Sequence, residues 1–313
     1  MQHSNVTNSL VSVIVITYNS SQYVIETLES IKTQTYKNIE LIISDDCSTD
    51  ETVTICIKWI NENKENFVRT ELIIQTKNSG LPANCNRGVN ASKGEWVKII
   101  AGDDLLVNDA IETIVGFVQE KDCDVLVTQY KPFYNVSGER SYGDVYPNTT
   151  IAQQFFNKSP QAQFKLLIKE KYIFILGLFV KRELIEVLEG FNEKYRLIED
   201  LPFLIKISQE GYAYSYLPKV TLLYRYHLDS ISHSKNSTLG FNPNFIINLY
   251  QIYRDIWRMH ISFFDRVYFD FKFGCYNFLI KNNVKSKWVI KLVLLAPLYL
   301  TPKLYITKIR ALF

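Results

Sequence analysis

The chain has 313 residues, 47% of them hydrophobic, and a formal net charge of +3 at pH 7. That length allows one large domain, or one domain with an extension, and the hydrophobic content is that of a globular protein with a real core. Its five cysteines are scattered and show no C-x-x-C spacing, which argues against a disulfide framework and a zinc site and favours a reducing cytoplasm.

Neither a signal peptide nor a membrane span is predicted at the two ends of the chain. Residues 1–9 are polar and lack the charged and apolar regions of a signal peptide, so export is not expected. The longest apolar stretch, Trp288 to Leu300, is too short for a span and contains Lys291 and Pro297. We expect a cytoplasmic protein whose C-terminal stretch can lie on a membrane but cannot cross it alone.

The predicted elements alternate between strand and helix in the first half of the chain, which is typical of a mostly parallel sheet covered by helices. Strands are expected at 11–17, 39–44, 71–76, 95–100 and 124–130. Helices are expected to begin near Ser20, Asp50, Leu81 and Asn108, and the second helix is predicted to bury Val53, Ile57 and Ile60.

The second half is less regular. Residues 131–160 are rich in Tyr, Asn, Gly, Ser and Pro and are predicted to be a loop-rich region near the functional site. A helix is expected at 161–171, an apolar stretch at 172–180, and a further helix from Glu199-Asp200 to Gly211. A change in composition places the domain boundary near Gly240, giving a catalytic domain (1–239) and a basic, aromatic-rich helical extension (240–313).

Positive charge is concentrated in the C-terminal region. Residues 250–313 contain eleven Lys or Arg and three Asp, a net charge of +8, so the rest of the chain carries −5. One apolar helical face is predicted there, and a basic apolar stretch follows it: Phe245, Leu249, Ile252, Ile256 and Met259, then Trp288, Leu292 and Leu295 with Lys285, Lys287 and Lys291. Apolar helical faces of this kind more commonly pack against the neighbouring domain, here the catalytic domain. The cationic excess favours an anionic membrane surface as partner, rather than nucleic acid.

Polar residues follow four of the predicted strands, at Thr17-Tyr18-Asn19, Asp45-Asp46, Asn78-Ser79-Gly80 and Asp103-Asp104. Ligands of open α/β sheets bind outside the carboxyl ends of the strands, so these residues are expected to share one pocket. Each acidic pair could also cap the next helix. Two such pairs repel unless a cation or hydrogen-bond donors hold them, and a divalent metal bridging a diphosphate would meet that need.

The same segments resemble glycosyltransferase family 2, the inverting transferases of GT-A fold. The resemblance is carried by Val11 to Asn19, Glu40 to Asp46 with Ser48-Thr49-Asp50, Asn78 to Gly88 and Gly94 to Asp104, and it extends over roughly residues 11–230. It implies a Rossmann-like α/β sheet with helices on both faces. It also implies transfer of a sugar from a nucleotide diphosphate, with a UDP-sugar the expected donor, as in non-processive O-antigen and other polysaccharide synthesis.

The resemblance assigns roles to individual residues on the donor side. It places Tyr18 against the nucleotide base and Asp46 in a hydrogen bond with that base, beside Thr17 and Asn19. It adds Asn78, Asn86 and Arg87 to the donor site. Each of three residues also has a structural alternative. Tyr18 could pack at the edge of the core, Asp46 could cap a helix, and Arg87 could brace a loop.

By the same resemblance, Asp103 and Asp104 match the second half of the family's metal motif and would hold Mn²⁺ or Mg²⁺, with Asp104 in direct contact. Many members carry another acid two positions before this pair, where this chain has Ala101. This departure leaves open how many metal ligands the protein supplies. Nucleotide phosphates and waters can complete the coordination.

On the acceptor side, alignment with the family makes Asp200 the base that takes the proton of the acceptor hydroxyl and Glu199 its support. A first-turn acidic pair that stabilises a helix is the alternative. Arg225 and His227, with Ser230 and Ser232 close behind, are expected to close over the diphosphate, although structural roles are commoner for such residues.

Together these observations predict a metal-dependent hexosyl- or N-acetylhexosaminyltransferase acting on a glycan or lipid-linked acceptor. A processive synthase is disfavoured because the chain has neither spanning helices nor a Gln-x-x-Arg-Trp motif. A nucleotidyltransferase of related fold is a second hypothesis, but no glycine-rich basic loop follows the first strand. A nucleotide-sugar-binding protein without activity is a third, against which the presence of Asp104 and Asp200 argues.

Overall fold

The computed structural model describes residues 9–136, 139–170, 175–227, 242–284 and 286–300. Contacts within the chain divide it into two compact units, residues 1–226 and residues 227–313. The predicted boundary between residues 239 and 240 lies outside the described residues, so the extension from residue 240 onward stays a prediction.

The described part of the first unit contains nine strands and eight α-helices. The strands are β1 (Val11–Thr17), β2 (Ile39–Asp45), β3 (Arg69–Ile74), β4 (Trp96–Ala101), β5 (Leu105–Leu106), β6 (Val125–Val136), β7 (Glu139–Tyr142), β8 (Leu178–Lys181) and β9 (Ser215–Arg225). The helices are α1 (Val24–Lys32), α2 (Thr52–Asn63), α3 (Leu81–Ala91), α4 (Ala110–Glu120), α5 (Thr149–Phe155), α6 (Pro160–Glu170), α7 (Arg182–Val187) and α8 (Asp200–Gln209).

These strands form one mixed sheet in the order β3-β2-β1-β4-β8-β6-β9-β5, with β7 paired to β6. The strands β3, β2, β1 and β4 are parallel to one another, as the sequence predicts. In the second half, β8 runs antiparallel to both β4 and β6, whereas β9 is parallel to β6. The predicted α/β class is confirmed, and its parallel pattern belongs mainly to the first half of the chain.

Helices cover both faces of the sheet because the side chains of β1 are apolar on both sides. Val11, Val13 and Val15 lie in a hydrophobic cluster with residues of α1, α2 and α4. Ile14 points to the opposite face, where a Cβ atom on Gly88 of α3 would lie 2.3 Å from its Cγ2 atom. Glycine at this position therefore lets α3 pack closely against β1, and the strand is buried on both faces.

Two local predictions are wrong. Residues 131–160 are not mainly loop: β6 continues to Val136 and pairs with β7, and α5 follows. The pattern was hard to read because aromatic and charged residues share one face of this hairpin. Helix α2 buries Thr52, Cys56 and Trp59, whereas Ile57 is exposed. Thr52, in the first turn of α2, is buried in place of Val53. The buried face is therefore offset by one residue from the predicted face.

A buried carboxylate connects several elements of the first unit. Glu40 of β2 accepts hydrogen bonds from Ser12 Oγ (2.5 Å) and from the N–H groups of Lys93 (2.5 Å) and Gly94 (2.9 Å), and it pairs with Arg69 (2.8 Å). Burial raises the pKa of Glu40, but these hydrogen bonds outweigh burial and leave its pKa below the usual value. Glu40 thus ties β1, β2, β3 and the α3–β4 turn together.

The second unit is helical where it is described. Its helices are α9 (Pro243–Ile252), α10 (Phe263–Lys281) and α11 (Lys287–Leu300), and a π-helical segment, Tyr253–Trp257, follows α9. The ring of Tyr253 packs against Phe273, and its hydroxyl donates to Asp270 (2.8 Å). In the described residues, no helix combines the length and apolarity needed to cross a membrane.

The predicted apolar face from Phe245 to Met259 is wrong beyond Ile252. The π-helical segment changes the helical repeat, so that Tyr253 and Trp257 are buried while Met259 is 67% exposed.

We predict that Glu40→Gln lowers the free energy of unfolding by about 2 kcal/mol at pH 7, because it leaves Arg69 without its buried partner. The folded pKa of Glu40 is depressed, so this stabilisation is present above the unfolded pKa of about 4.3 and is lost as pH falls through the folded pKa. Urea denaturation at pH 7 and at acid pH measures both effects. Glu186→Gln, which breaks an exposed pair with Arg182, is the control, and equal changes in the two variants would contradict the assignment.

Candidate active site at the carboxyl edge of the sheet

Three of the predicted polar segments lie together at the carboxyl edge of the sheet. In the parallel register Thr17 lies beside Asp45, and Ile16 lies beside Ala101. The segments after β1, β2 and β4 therefore leave the sheet side by side, and the N–H of Gly102 donates to the carbonyl of Ile16 (2.9 Å).

Asp46 organises the loop between β3 and α3. Its buried carboxylate accepts hydrogen bonds from the N–H groups of Ser79 (3.0 Å) and Gly80 (2.8 Å) and from the guanidinium of Arg87 (2.6 Å). Burial raises the pKa of Asp46, but these donors together hold its pKa below the usual value. Asp46 and Arg87 both act here as braces of the loop, in addition to any contact with a ligand.

Of the three residues at the end of β1, two are hydrogen-bonded within the protein and one is exposed. Thr17 Oγ1 donates to Asp45 (2.8 Å), and the Asn19 side chain accepts from the N–H of Thr49 (2.8 Å). Asn19 adopts a left-handed backbone with φ of 52°. Tyr18, in contrast, has half of its side chain exposed. Its ring is thus open to a ligand at this edge.

Asn78 and Asn86 contact the segment that leads into α8. The Asn86 side chain exchanges two hydrogen bonds with the backbone of Phe191 (2.9 and 2.8 Å). The carbonyl of Asn78 accepts from Arg196 (2.9 Å). These contacts position the start of α8 relative to α3 and the β3–α3 loop, so both residues contribute to the geometry of Glu199 and Asp200.

Asp103 and Asp104 follow β4 and differ in burial. Asp104 is buried, and one of its carboxylate oxygens accepts from the N–H of Arg225 (2.8 Å). Burial, and then the charge of Asp103, raise the pKa of Asp104 well above its usual value, because Arg225 and Lys98 compensate only in part. Asp103 is partly exposed, and its carbonyl accepts from Arg225 Nε (2.7 Å).

The chemistry of this pair fits a divalent cation. Two adjacent carboxylates offer the hard oxygen ligands that Mg²⁺ and Mn²⁺ prefer. The positive groups around Asp104 compensate its negative charge only in part. Across the part of the chain that the structure describes, no group of three or more His, Cys, Asp or Glu side chains could hold a metal ion. A cation bound here would need further oxygen ligands from a bound molecule or water.

Glu199 and Asp200 stand at the start of α8, as predicted. Burial, and then the charge of Asp200, raise the pKa of Glu199 to about 8. Burial also raises the pKa of Asp200, although the N–H of Leu201 donates to it (2.6 Å) and acts in the opposite direction. The charge of Asp200 thus favours the protonated form of Glu199, whereas the N–H of Leu201 stabilises the ionised form of Asp200.

One member of each acidic pair lines a cavity of about 70 Å³ beside β4. Asp104 and Glu199 both contribute to its wall, which is otherwise mostly hydrophobic and includes Cys85, Ile99 and Ala101. An apolar wall lowers the local dielectric constant and strengthens the electrostatic interactions of both carboxyl groups. The structure therefore brings Asp104 of the predicted metal pair and Glu199 of the predicted base pair to one cavity.

Arg225 is the last residue of β9 and is 3% exposed. Its guanidinium lies between the rings of Tyr23 and Phe133, at 4.7 and 4.6 Å from their centroids. His227 belongs to the second unit and is partly buried. Ser230 and Ser232 lie outside the described residues, so the expected closure over a diphosphate stays a prediction.

Two buried polar residues of this region were missed by sequence reasoning. Asn84 of α3 accepts from Ser44 Oγ (2.6 Å) and donates to the carbonyl of Thr17 (3.2 Å). Lys98 is fully buried within β4, and its ammonium donates to the carbonyls of Leu176 and Leu178. A single lysine inside an apolar strand was a visible signal, whereas Asn84 gave none beyond its place in an asparagine-rich helix.

Comparison with known proteins identifies a family and solved structures of similar fold. Residues 12–186 match the family described as "Glycosyl transferase family 2". The chain is 37% identical to glycosyltransferase GlyG of Streptococcus pneumoniae serotype 4 over 139 residues, which cover 44% of this chain and 43% of GlyG. The chain thus spans less than half the length of this relative.

Among solved structures, S. aureus TarS 1-349 in complex with UDP-GlcNAc superposes with a TM-score of 0.59 and 22% identity, covering 92% of this chain and 79% of that chain. In sequence, the poly(ribitol-phosphate) beta-N-acetylglucosaminyltransferase TarS is 34% identical over 122 residues, which are 38% of this chain and 21% of TarS. The mannosyltransferase PcManGT from Pyrobaculum calidifontis, in complex with GDP-Man and Mn²⁺, superposes with a TM-score of 0.52 and 20% identity, covering 79% and 65%. These structural likenesses show the fold.

We predict that the Glu199 carboxyl titrates with a pKa of about 8 and that Asp200→Asn lowers this value, because the neighbouring negative charge is removed while burial remains. Carbon-13 NMR of labelled glutamate side chains measures the pKa in both proteins. A Glu199 pKa near 4.5 in the wild type would contradict the description of the pair.

Proposed function

Because the chain belongs to glycosyltransferase family 2, we propose that it transfers a sugar from a nucleotide-diphosphate donor to an acceptor hydroxyl group, with inversion at the anomeric carbon. The observation that carries this proposal is the cavity onto which Asp104 and Glu199 both face. A donor diphosphate held at Asp104 would present its sugar to the start of α8, where Asp200 follows Glu199. The acceptor is a glycan or lipid-linked molecule of cell-surface polysaccharide synthesis.

The nucleotide lies at the ends of β1 and β2. The exposed ring of Tyr18 offers a flat surface for base stacking. Asp46 holds the loop with Asn78 at the same edge and adds a carboxylate acceptor for a base N–H. The likeness to a fold that binds UDP-GlcNAc in TarS supports a UDP-sugar, so the transferred group is a hexosyl or N-acetylhexosaminyl residue.

Asp104, with Asp103, would hold Mn²⁺ or Mg²⁺. When bound, such an ion neutralises the charge that develops on the departing diphosphate. Support comes from the insufficient compensation of charge at Asp104 and from the Mn²⁺ in PcManGT, a protein of similar fold. Ala101 supplies no ligand, and the hydrogen bond to the N–H of Arg225 orients Asp104.

We predict that Asp104→Ala abolishes most of the Mn²⁺-dependent binding of UDP while the protein stays folded. Titration calorimetry of UDP with Mn²⁺ and with excess chelator measures this dependence. Asp109→Ala, which removes an exposed acid five residues further along the chain, is the matched control and should bind as the wild type does. Equal UDP binding by Asp104→Ala in excess chelator and by wild type with Mn²⁺ would exclude a metal at this pair.

Asp200 acts as the base. Its carboxylate takes the proton of the acceptor hydroxyl as that oxygen attacks the anomeric carbon, while Glu199 remains protonated and adds no second charge to the site. The base must be ionised to act, and burial raises its pKa. The rate should therefore fall as pH drops through a pKa above the usual value of Asp.

We predict that Asp200→Asn reduces turnover on the order of a hundredfold or more, since it keeps the shape of the side chain but removes the proton acceptor. Donor affinity should change little. Steady-state kinetics with the donor identified by screening, and UDP calorimetry in parallel, separate the two quantities. Near-normal turnover would show that Asp200 only begins α8, where asparagine serves nearly as well. Glu210→Gln, an exposed acid at the other end of α8, is the control.

The second unit attaches the enzyme to an anionic membrane surface. Helix α10 carries an exposed apolar face, Phe264, Val267, Phe271 and Phe278, and α11 exposes Trp288 and Leu292. The net charge of +8 over residues 250–313 complements anionic lipid. Exposed aromatic side chains with surrounding cations are what surface-bound helices present to a membrane.

We predict that the full chain floats with anionic liposomes at low salt and less at high salt, because screening weakens the electrostatic part of binding. Replacing Phe264, Phe271 and Trp288 with Ser should abolish flotation. The control replaces three exposed apolar residues of the first unit, Ile57, Val68 and Val187, with Ser. Wild-type protein that stays with the soluble fraction at both salt concentrations would rule out membrane attachment.

A further inference from the structure

Lys98 is a buried lysine in the middle of β4, and the transfer step proposed above does not use it. Its side chain is fully buried, and its ammonium donates to the carbonyls of Leu176 and Leu178. These acceptors belong to residues 176–178, which we call the wall segment and which lead into β8. We propose that Lys98 is a positioning residue whose hydrogen bonds to the wall segment fix one side of the cavity beside β4.

This cavity lies where β4 and β8 part. The antiparallel ladder between the two strands ends at the pair of Val97 and Val180. The residues that would continue the ladder line the cavity instead: Ile99 opposite Leu178, and Ala101 opposite Leu176. Buried carbonyls need a donor, and beyond the end of the ladder Lys98 supplies it to the wall segment.

Lys98 acts through hydrogen bonds rather than through its charge. Burial lowers the pKa of Lys98 to about 7, and the negative charge of Asp104 opposes this shift only in part. An ammonium carries three N–H groups and a neutral amine carries two, so both carbonyls keep a donor on either side of that pKa. The position of the wall segment is therefore independent of the protonation of Lys98.

The wall segment is bound from β6 as well. The hydroxyl of Thr128 donates to the carbonyl of Gly177 (3.1 Å) and lies 2.6 Å from the hydroxyl of Thr221. A Cβ atom on Gly177 would overlap the carbonyl oxygen of Thr128, so glycine lets the segment lie directly against β6. Side chains of the sheet thus bind three successive carbonyls, and Lys98 binds two of the three.

The wall segment lines the same cavity as Asp104 and Glu199. Under the proposed function, on which this step rests, the sugar and the acceptor meet beside that cavity. A displacement of about 1 Å at such a site can cost on the order of a hundredfold in rate. The nucleotide would lie at the ends of β1 and β2, and β4 separates both strands from β8. Loss of Lys98 should therefore lower turnover far more than nucleotide affinity.

Two neutral variants of Lys98 separate hydrogen bonding from charge. Lys98→Met nearly keeps the length of the side chain and removes all of its N–H groups, whereas Lys98→Gln keeps an amide donor. Lys98→Met should lower turnover by roughly ten- to a hundredfold, while the affinity for UDP with Mn²⁺ stays within about twofold of the wild type. Lys98→Gln should lose less turnover. Steady-state kinetics and UDP calorimetry measure the two quantities.

Thr128→Val tests the same segment from β6 and also covers the case in which Lys98→Met fails to fold. It keeps Lys98 and its charge but removes the donor to Gly177, so turnover should fall about fivefold. The control is Glu40→Gln, a buried change whose partners belong to β1, β3 and the α3–β4 turn. It should lower stability without changing turnover.

Backbone hydrogen exchange in residues 176–181 of the full chain tests the contact without using activity. In Lys98→Met these amides should exchange about tenfold faster relative to those of α4, because two buried carbonyls lose their donor. Glu40→Gln should leave that ratio unchanged.

Unchanged exchange in Lys98→Met overturns the proposal, as does turnover equal to that of the wild type. Equal losses of turnover in Lys98→Met and Lys98→Gln, with none in Thr128→Val, would overturn it by assigning the effect to charge. Faster local exchange in Lys98→Met, with no transfer of sugar by the wild type, would leave the contact standing while the proposed function fails.

Discussion

Buried carboxylates at the ends of parallel strands need N–H donors or cations, and much of the first unit is arranged to supply them. The register of β1, β2 and β4 brings the segments after these strands to one edge, and with them Asp45, Asp46 and Asp104. Asp45 and Asp46 receive donors from their own turn and from the β3–α3 loop. Because these bonds fix the loop, they also fix Asn78 and Arg87, which sequence reasoning assigned to the donor site.

Asp104 and Glu199 differ from Asp46 in how far their charge is compensated. The hydrogen bonds to Asp46 outweigh its burial and lower its pKa, whereas burial and a neighbouring acid raise the pKa of Asp104 and Glu199. Carboxyl groups with raised pKa values in one cavity are typical of sites that gain charge compensation from a ligand or that exchange a proton. This contrast separates the residues that build the site from those that we propose to act in it.

The sequence predicted the first-half strands, the start of α8 and the family because each depends on short-range patterns or on a motif. The apolar run of β1 and the acidic pairs after β2 and β4 could be read directly. Lys98 and Asn84 could not be assigned roles, since their partners lie far away in the chain. The same holds for Glu26 and Arg140, which are 114 residues apart.

The errors have a similar cause. The hairpin of β6 and β7 carries aromatic and charged residues on one face, where Phe133 packs on Arg225, so its composition resembles that of a loop. In α2 the buried face is set by Cys56 and Trp59, whose contacts with the sheet outweigh the hydrophobic spacing of its isoleucines. In the second unit, the π-helical segment at Tyr253–Trp257 shifts the helical repeat and with it the buried face.

The central claim is that this chain uses a nucleotide sugar as donor. Its most direct test is a panel of nucleotide sugars incubated with the purified full-length protein, with and without Mn²⁺, followed by detection of the released nucleotide by mass spectrometry. The account predicts Mn²⁺-dependent release of UDP from at least one UDP-sugar. A folded protein that neither consumes nor binds any nucleotide sugar in the panel, with Mn²⁺ present, would contradict it.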